Sequence, residues 1–161
     1  MMYAITGHTK GIGKEIFQRL DPNIIGFSKS TGYDITYKHQ RAKIIQQILD
    51  RDVFINNAHD RFAQTELLIE LYKEWHDQEK TIINVGSRIT EIILPKDKID
   101  LLEYQSQKLA LKSISYKLIG KCQVKYKWFG YVGTERILSK YPHFTEKDYL
   151  TVGQAADIIL S

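Results

Sequence analysis

Short apolar runs alternate with longer amphipathic ones along this chain. Tyr3–Thr6, Asn23–Ser28, Val53–Asn56, Thr81–Val85 and Gln123–Phe129 read as strands. Lys14–Leu20, His39–Leu49, Phe62–Trp75, Asp100–Ile119 and Val152–Leu160 read as helices. Most of the strand-like runs are continuously apolar rather than alternating. Strands of that kind, each followed by a helix, predict a parallel sheet covered on both faces. The three prolines, Pro22, Pro95 and Pro142, all fall between elements, and no repeat or linker interrupts the pattern. The chain is therefore expected to form one domain over residues 1–161. One place breaks the alternation. Only Lys29 to Tyr33 separate the second strand from Asp34-Ile35-Thr36, too few residues for a crossover helix. A third strand at Asp34–Thr36 would be rudimentary and reached by a loop.

The first strand runs directly into Thr6-Gly7-His8-Thr9-Lys10-Gly11-Ile12-Gly13 and then into a helix. A strand, a glycine-rich turn and a helix start together make a phosphate site. The glycines let the backbone turn sharply and a pyrophosphate approach it, and the helix aims its free N–H groups at the anion. Two further strands end in polar residues: Val53–Asn56 is followed by Asn57-Ala58, and Thr81–Val85 by Gly86-Ser87. Ligands of open parallel sheets sit beyond the carboxyl ends of the strands, so these tips share a crevice with the glycine turn. Tyr104 and Lys108 stand four apart in a helical stretch, on one face. An ammonium one turn away stabilises a phenolate and makes a tyrosine a better acid–base near neutrality. A hydroxyl such as that of Ser87 can steady an oxyanion growing on a carbonyl.

In order and spacing these segments resemble the short-chain dehydrogenase/reductase family, of the kind with a TGxxxGxG turn, an NNAG strand end, a serine and a YxxxK helix. The resemblance runs from Met2 to about Thr134 and returns weakly at Thr151–Leu160. It implies an α/β, single-domain Rossmann-type fold of three layers with a mostly parallel sheet, lacking the family's last strand. It implies Ser87, Tyr104 and Lys108 as catalytic residues acting on a carbonyl or alcohol. It also implies a dinucleotide held by Gly7, Thr9, Lys10, Gly11, Ile12, Gly13, Ser28, Lys29, Asp34, Asn57, Ala58, Tyr104, Lys108, Gly130, Val132 and Thr134. Ser28-Lys29 replaces the acidic residue found after the second strand of NAD-using relatives, and Lys10 adds a cation, so NADP is the expected cofactor in preference to NAD. In the family the Phe62–Trp75 and Asp100–Ile119 helices form a dimer face, and a homodimer is expected. The alternative is a non-catalytic NADP-binding sensor or subunit.

The chain departs from the pattern in several places. It is shorter than typical members, His59 stands for the last glycine of NNAG, and Phe129 replaces a proline. Residues 61–79 contain no asparagine, so the family's fourth catalytic residue, which helps hold a water in the proton relay, has no candidate.

Composition narrows the remaining classes. Hydrophobic residues make up 43% and charged residues 26% of 161, the balance of a globular domain rather than a disordered one. No apolar stretch is long enough to span a bilayer. The first strand begins at residue 2, leaving no room for a leader, and the lone Cys122 suits a reducing compartment; a cytoplasmic location is expected. Lys117, Lys121, Lys125 and Lys127 lie among aromatics, but they read as an exposed helix end and strand rather than a nucleic-acid groove. The five histidines lack metal-ligand spacing, and no metal is expected.

Overall fold

The computed structural model describes all 161 residues. Its elements are β1 (Tyr3–Thr6), α1 (Gly11–Leu20), β2 (Ile24–Phe27), α2 (Lys38–Gln47), β3 (Val53–Asn56), α3 (Ala63–Trp75), β4 (Thr81–Val85), α4 (Leu102–Ser115), β5 (Gln123–Lys127), α5 (Glu135–Lys140) and α6 (Val152–Leu160). The five strands form one parallel sheet in the order β2-β1-β3-β4-β5. The order reverses between β1 and β3, so the crevice opens where β1 and β3 end.

Two-residue periodicity sorts the strand side chains into two cores. Ile5, Val53, Ile55, Ile83 and Val85 face α1 and α6 and pack with Ile16, Ala155, Ala156 and Ile159. Ala4, Phe54 and Ile82 face the other way, against Ile44, Leu67, Leu68, Leu71, Trp75 and Leu111. A sheet apolar on both faces has to be covered on both, which is the three-layer arrangement. Strand β5 is an edge. Its Gln123 and Lys125 are exposed, and charged side chains on an edge discourage further pairing.

The structure corrects the sequence-based expectations at two points and adds one element. Asp34-Ile35-Thr36 is not a strand. Ile35 is buried in the core, and Asp34 closes a tight turn by accepting from the Thr36 N–H at 3.0 Å and the Thr36 hydroxyl at 2.6 Å. Arg41 of α2 then anchors this loop. Its Nη1 donates to the Ile35 carbonyl at 2.9 Å, and its guanidinium holds Glu70 at 2.8 and 3.0 Å and Glu66 at 3.0 Å. The segment before α6 contains a short helix, α5, capped by the Thr134 hydroxyl, which six residues were too few to announce. Finally, α3 does not keep an apolar face for a partner. Leu67, Leu68, Leu71 and Trp75 are wholly inside the chain's own core, and the outward positions include Glu66, Lys73 and Glu74.

Leu68→Ala should therefore destabilise the domain by about 3 kcal/mol, the usual cost of emptying a closed aliphatic site. Urea denaturation should show that loss while sedimentation shows the same assembly state as wild type.

Candidate functional site

The glycine turn is built by sterics. Gly7 and Gly11 have φ of 73° and 53°, the left-handed region that side chains resist. At Gly13 a Cβ would lie 2.0 Å from the Gly7 carbonyl oxygen, so only glycine lets α1 enter this close to β1. Helix α1 starts at Lys10 without a side-chain cap and without an acid in its first turn. By contrast, α6 begins with a full capping box from Thr151 and Gln154. The first N–H groups of α1 thus have no side-chain cap.

Around the turn, Thr6 ties β1 to β3. Its buried hydroxyl accepts from Asn57 N at 3.1 Å and Ala58 N at 3.0 Å. The Asn57 amide donates back to the Thr6 carbonyl at 3.0 Å and Gly7 at 3.3 Å, filling the space above Gly7 and Gly13. Thr134 leans over Gly11, its Cγ2 3.2 Å from where a Cβ would stand there. Gly130 is open except for the Arg88 side chain, 3.6 Å from its Cβ direction. Val132 turns its side chain into the core, so only its backbone faces outward. Ile12 is half-buried and packs against the α1/α6 core, a structural contact beside the turn.

The region after β2 differs from expectation. Ser28 is 5% exposed, and its hydroxyl is already engaged: it accepts from the His8 N–H at 2.9 Å and bonds His8 Nδ1 at 3.0 Å. The His8 ring in turn lies over Gly26, where a Cβ would come within 2.3 Å of it. Ser28 is thus buried and clasped to His8 through both the backbone N–H and the ring of that residue. Lys29 is exposed but paired with Asp34 at 3.2 Å, and this carboxylate holds its ammonium above the ordinary range. Asp34 is held below its own ordinary range by the Thr36 hydroxyl and N–H, then by Lys29. Lys10 is exposed, and the hydroxyls of Thr9 and Ser30 meet at 3.1 Å beside it. Ser30 was not singled out from the sequence; a hydroxyl in a loop carries no signal until the loop folds onto the glycine turn.

Beyond β4, Ser87 caps a short 3-10 turn, accepting from Ile89 N at 3.3 Å. That bond uses an oxygen lone pair and leaves the O–H free to donate. Tyr126 of β5 packs over Gly86, 2.1 Å from a would-be Cβ, and fixes the approach to Ser87. On α4, Tyr104 is half-buried and Lys108 is 3% exposed, with Nζ 5.9 Å from the Tyr104 ring centre. Lys108 has no carboxylate partner. Its Nζ donates to Gln64 Oε1 at 2.8 Å and to the Val85 carbonyl at 3.1 Å, and burial pushes it down to about 7.

Two residues at this centre lie outside the expected site set. His59, which stands for the last glycine of NNAG, sets its ring edge-on to Tyr104, with centroids 5.0 Å apart. Burial, then the neighbouring Lys108 charge, lowers its pKa to about 4, so it is neutral at physiological pH. Gln64 sits in the stretch that lacks an asparagine, and its amide is what Lys108 meets. The signal was a polar residue on the buried face of a helix, visible only once that face is known.

No protein-family model and no curated protein sequence matches the chain. Solved structures do. A short-chain dehydrogenase from Burkholderia cenocepacia, in complex with NADP, superposes with a TM-score of 0.78 at 18% identity, over 99% of this chain and 82% of that one. A small-chain dehydrogenase in complex with NADPH gives 0.75 at 16% identity, over 99% and 89%. A short-chain dehydrogenase/reductase of unknown function from Caenorhabditis elegans, with cofactor, gives 0.76 at 18%, over 99% and 86%.

The chain has the short-chain dehydrogenase fold. Against these chains its brevity is slight, since it spans more than four-fifths of each. No helix is long and apolar enough to cross a membrane.

The burial of Lys108 has a consequence for stability. Its pKa is about 7 in the folded chain and an ordinary lysine value, about 10.4, in the unfolded one. Between those values the unfolded chain binds more protons, so this group makes stability rise as pH climbs through that window. Urea midpoints measured from pH 7 to 10 should rise less steeply in Lys108→Met than in wild type. Parallel curves would show that Lys108 titrates normally.

Proposed function

We propose that the chain is an NADP(H)-dependent oxidoreductase acting on a small carbonyl or alcohol substrate. The observation that carries this reading is Lys108: an ammonium buried without a counter-ion, one helical turn from Tyr104, at the sheet edge where an uncapped glycine turn awaits an anion. Such a group is costly to bury for structure alone. Bound NADP fits the residues present. Gly7, Gly11 and Gly13 with the α1 N-terminus would hold the diphosphate, and Thr134, which leans over Gly11, would border it. Thr9, Ser30, Lys10 and Lys29 border the place for a 2′-phosphate, with Lys29 exchanging Asp34 for it. The NADP-bound and NADPH-bound structures of the same fold support this choice over NAD.

The cofactor supplies the hydride. The chain's own part is proton and charge control. The Ser87 hydroxyl donates to the carbonyl oxygen, Tyr104 gives that oxygen its proton, and the Lys108 ammonium stabilises the phenolate left behind. The reverse sequence oxidises an alcohol.

Assembly as a homodimer belongs to the same proposal, with its face narrowed from the α3 and α4 helices to α4 alone. Leu102, Leu109 and Tyr116 are exposed at seven-residue intervals along α4, an apolar stripe that the α3 positions do not supply. Leu109→Glu should shift the protein toward monomer in light scattering with its thermal midpoint unchanged; an unaltered dimer would remove α4 from the interface. The free Cys122 and the lack of disulfides agree with a cytoplasmic location.

The decisive measurement is calorimetric titration with NADPH and NADH, followed by turnover of a panel of ketones and aldehydes. NADPH should bind at least about tenfold more tightly, since one charge-assisted hydrogen bond carries that much. Lys10→Ala with Lys29→Ala should erase the preference. Tyr104→Phe should bind NADPH like wild type and lose nearly all turnover. Binding of neither dinucleotide would overturn the reading, and binding without turnover of any carbonyl would favour the sensor or subunit.

A further inference from the structure

The contact between Lys108 and Gln64 is over-determined. The Gln64 NH2 donates to two backbone carbonyls, Asn56 O at 2.6 Å and Val85 O at 3.1 Å, while its Oε1 accepts from Lys108 Nζ at 2.8 Å. Flipping the amide would set NH2 against an ammonium and an oxygen against two oxygens, so only one orientation is possible. The backbone of Gln64 is held as well, because its carbonyl accepts from Asn56 Nδ2 at 2.9 Å. Asn56 Nδ2 also donates to Asn84 Oδ1 at 2.9 Å, and Asn84 Nδ2 donates to Ser115 at 3.0 Å. The result is a buried seam of neutral amides across β3, β4, α3 and α4, ending on one cation, with Asn56 Oδ1 the one amide atom in it without a partner from the chain.

Two of the three Lys108 N–H groups are thereby spoken for, and the Tyr104 ring centre lies 5.9 Å from Nζ. The groups facing Nζ are Gln64 from α3, the Val85 carbonyl from β4, His59 from the loop after β3, and Tyr104 from its own helix. Apart from Tyr104 and the neutral His59 none of them titrates, and no aspartate or glutamate lies in ion-pair range.

We propose that Gln64 is the positioning residue of this site, a neutral acceptor that aims the Lys108 ammonium and keeps it free of a permanent counter-charge. A carboxylate at 64 would neutralise the ammonium, and an apolar residue would release it. As a role in catalysis this rests on the oxidoreductase reading; as a statement about Lys108 it does not.

The test uses the cofactor-free protein with lysines labelled at Cε, followed by NMR across pH, with the Lys108 signal assigned as the one missing from Lys108→Met. In wild type that signal should change well below the other lysines. Gln64→Glu should raise its midpoint by about one to three units, the effect of an adjacent opposite charge. Gln64→Leu should lower it, since an acceptor for the charged form is gone. In turnover, Gln64→Leu should lose roughly ten- to a hundredfold in kcat, as misaimed catalytic groups do. Gln64→Glu should move the alkaline limb of the pH profile upward. A wild-type Lys108 that titrates with the other lysines would overturn the proposal. So would a midpoint indifferent to Gln64→Glu, the variant that decides if Gln64→Leu does not fold. If wild type reduces no carbonyl, the oxidoreductase reading fails while the lysine midpoints still judge Gln64.

Discussion

Everything at the carboxyl edge of the sheet depends on how closely α1 meets β1. With no Cβ at Gly13, the helix axis comes near enough for its first N–H groups to face the crevice, and the Gly7 carbonyl fills the space a methyl would need. Any side chain at 13 would push the helix outward and carry the anion site with it. The same closeness leaves a pocket that the Asn57 amide occupies, and through Asn57 and the Thr6 hydroxyl the end of β3 is fixed to the end of β1. One steric constraint thus sets the relative height of two strand tips and of the turn between them.

The second half of the site is organised by polar burial instead. Asn56, Gln64, Asn84, Lys108 and Ser115 are all buried, in a region where each unpaired polar atom is costly. Their bonds link α3, α4, β3 and β4, from Ser115 near the end of α4 to Lys108 one turn after Tyr104. An apolar seam of the same shape would be at least as stable. What amides add is direction: they dictate where the ammonium points and leave it without a counter-ion. His59, neutral and edge-on to the Tyr104 ring, extends the same uncharged lining toward solvent.

The sequence by itself determined the layout. Five strand-like runs, most of them apolar, and the helices between them implied a parallel α/β sheet, and glycine spacing, Ser87 and the Tyr104/Lys108 interval marked the crevice, because periodicity and glycine sterics are local properties. Tertiary structure decided which polar groups are free. Ser28 and Lys29 look equivalent in sequence; one is clasped by His8 inside the fold and the other is exposed against Asp34. Leu68 and Leu109 both look like apolar helix positions, and only packing shows that the first is core and the second is surface. The roles of Gln64 and His59 were not legible, since a hydrogen bond to a lysine 44 residues away exists only once α3 and α4 lie on the same face of the sheet.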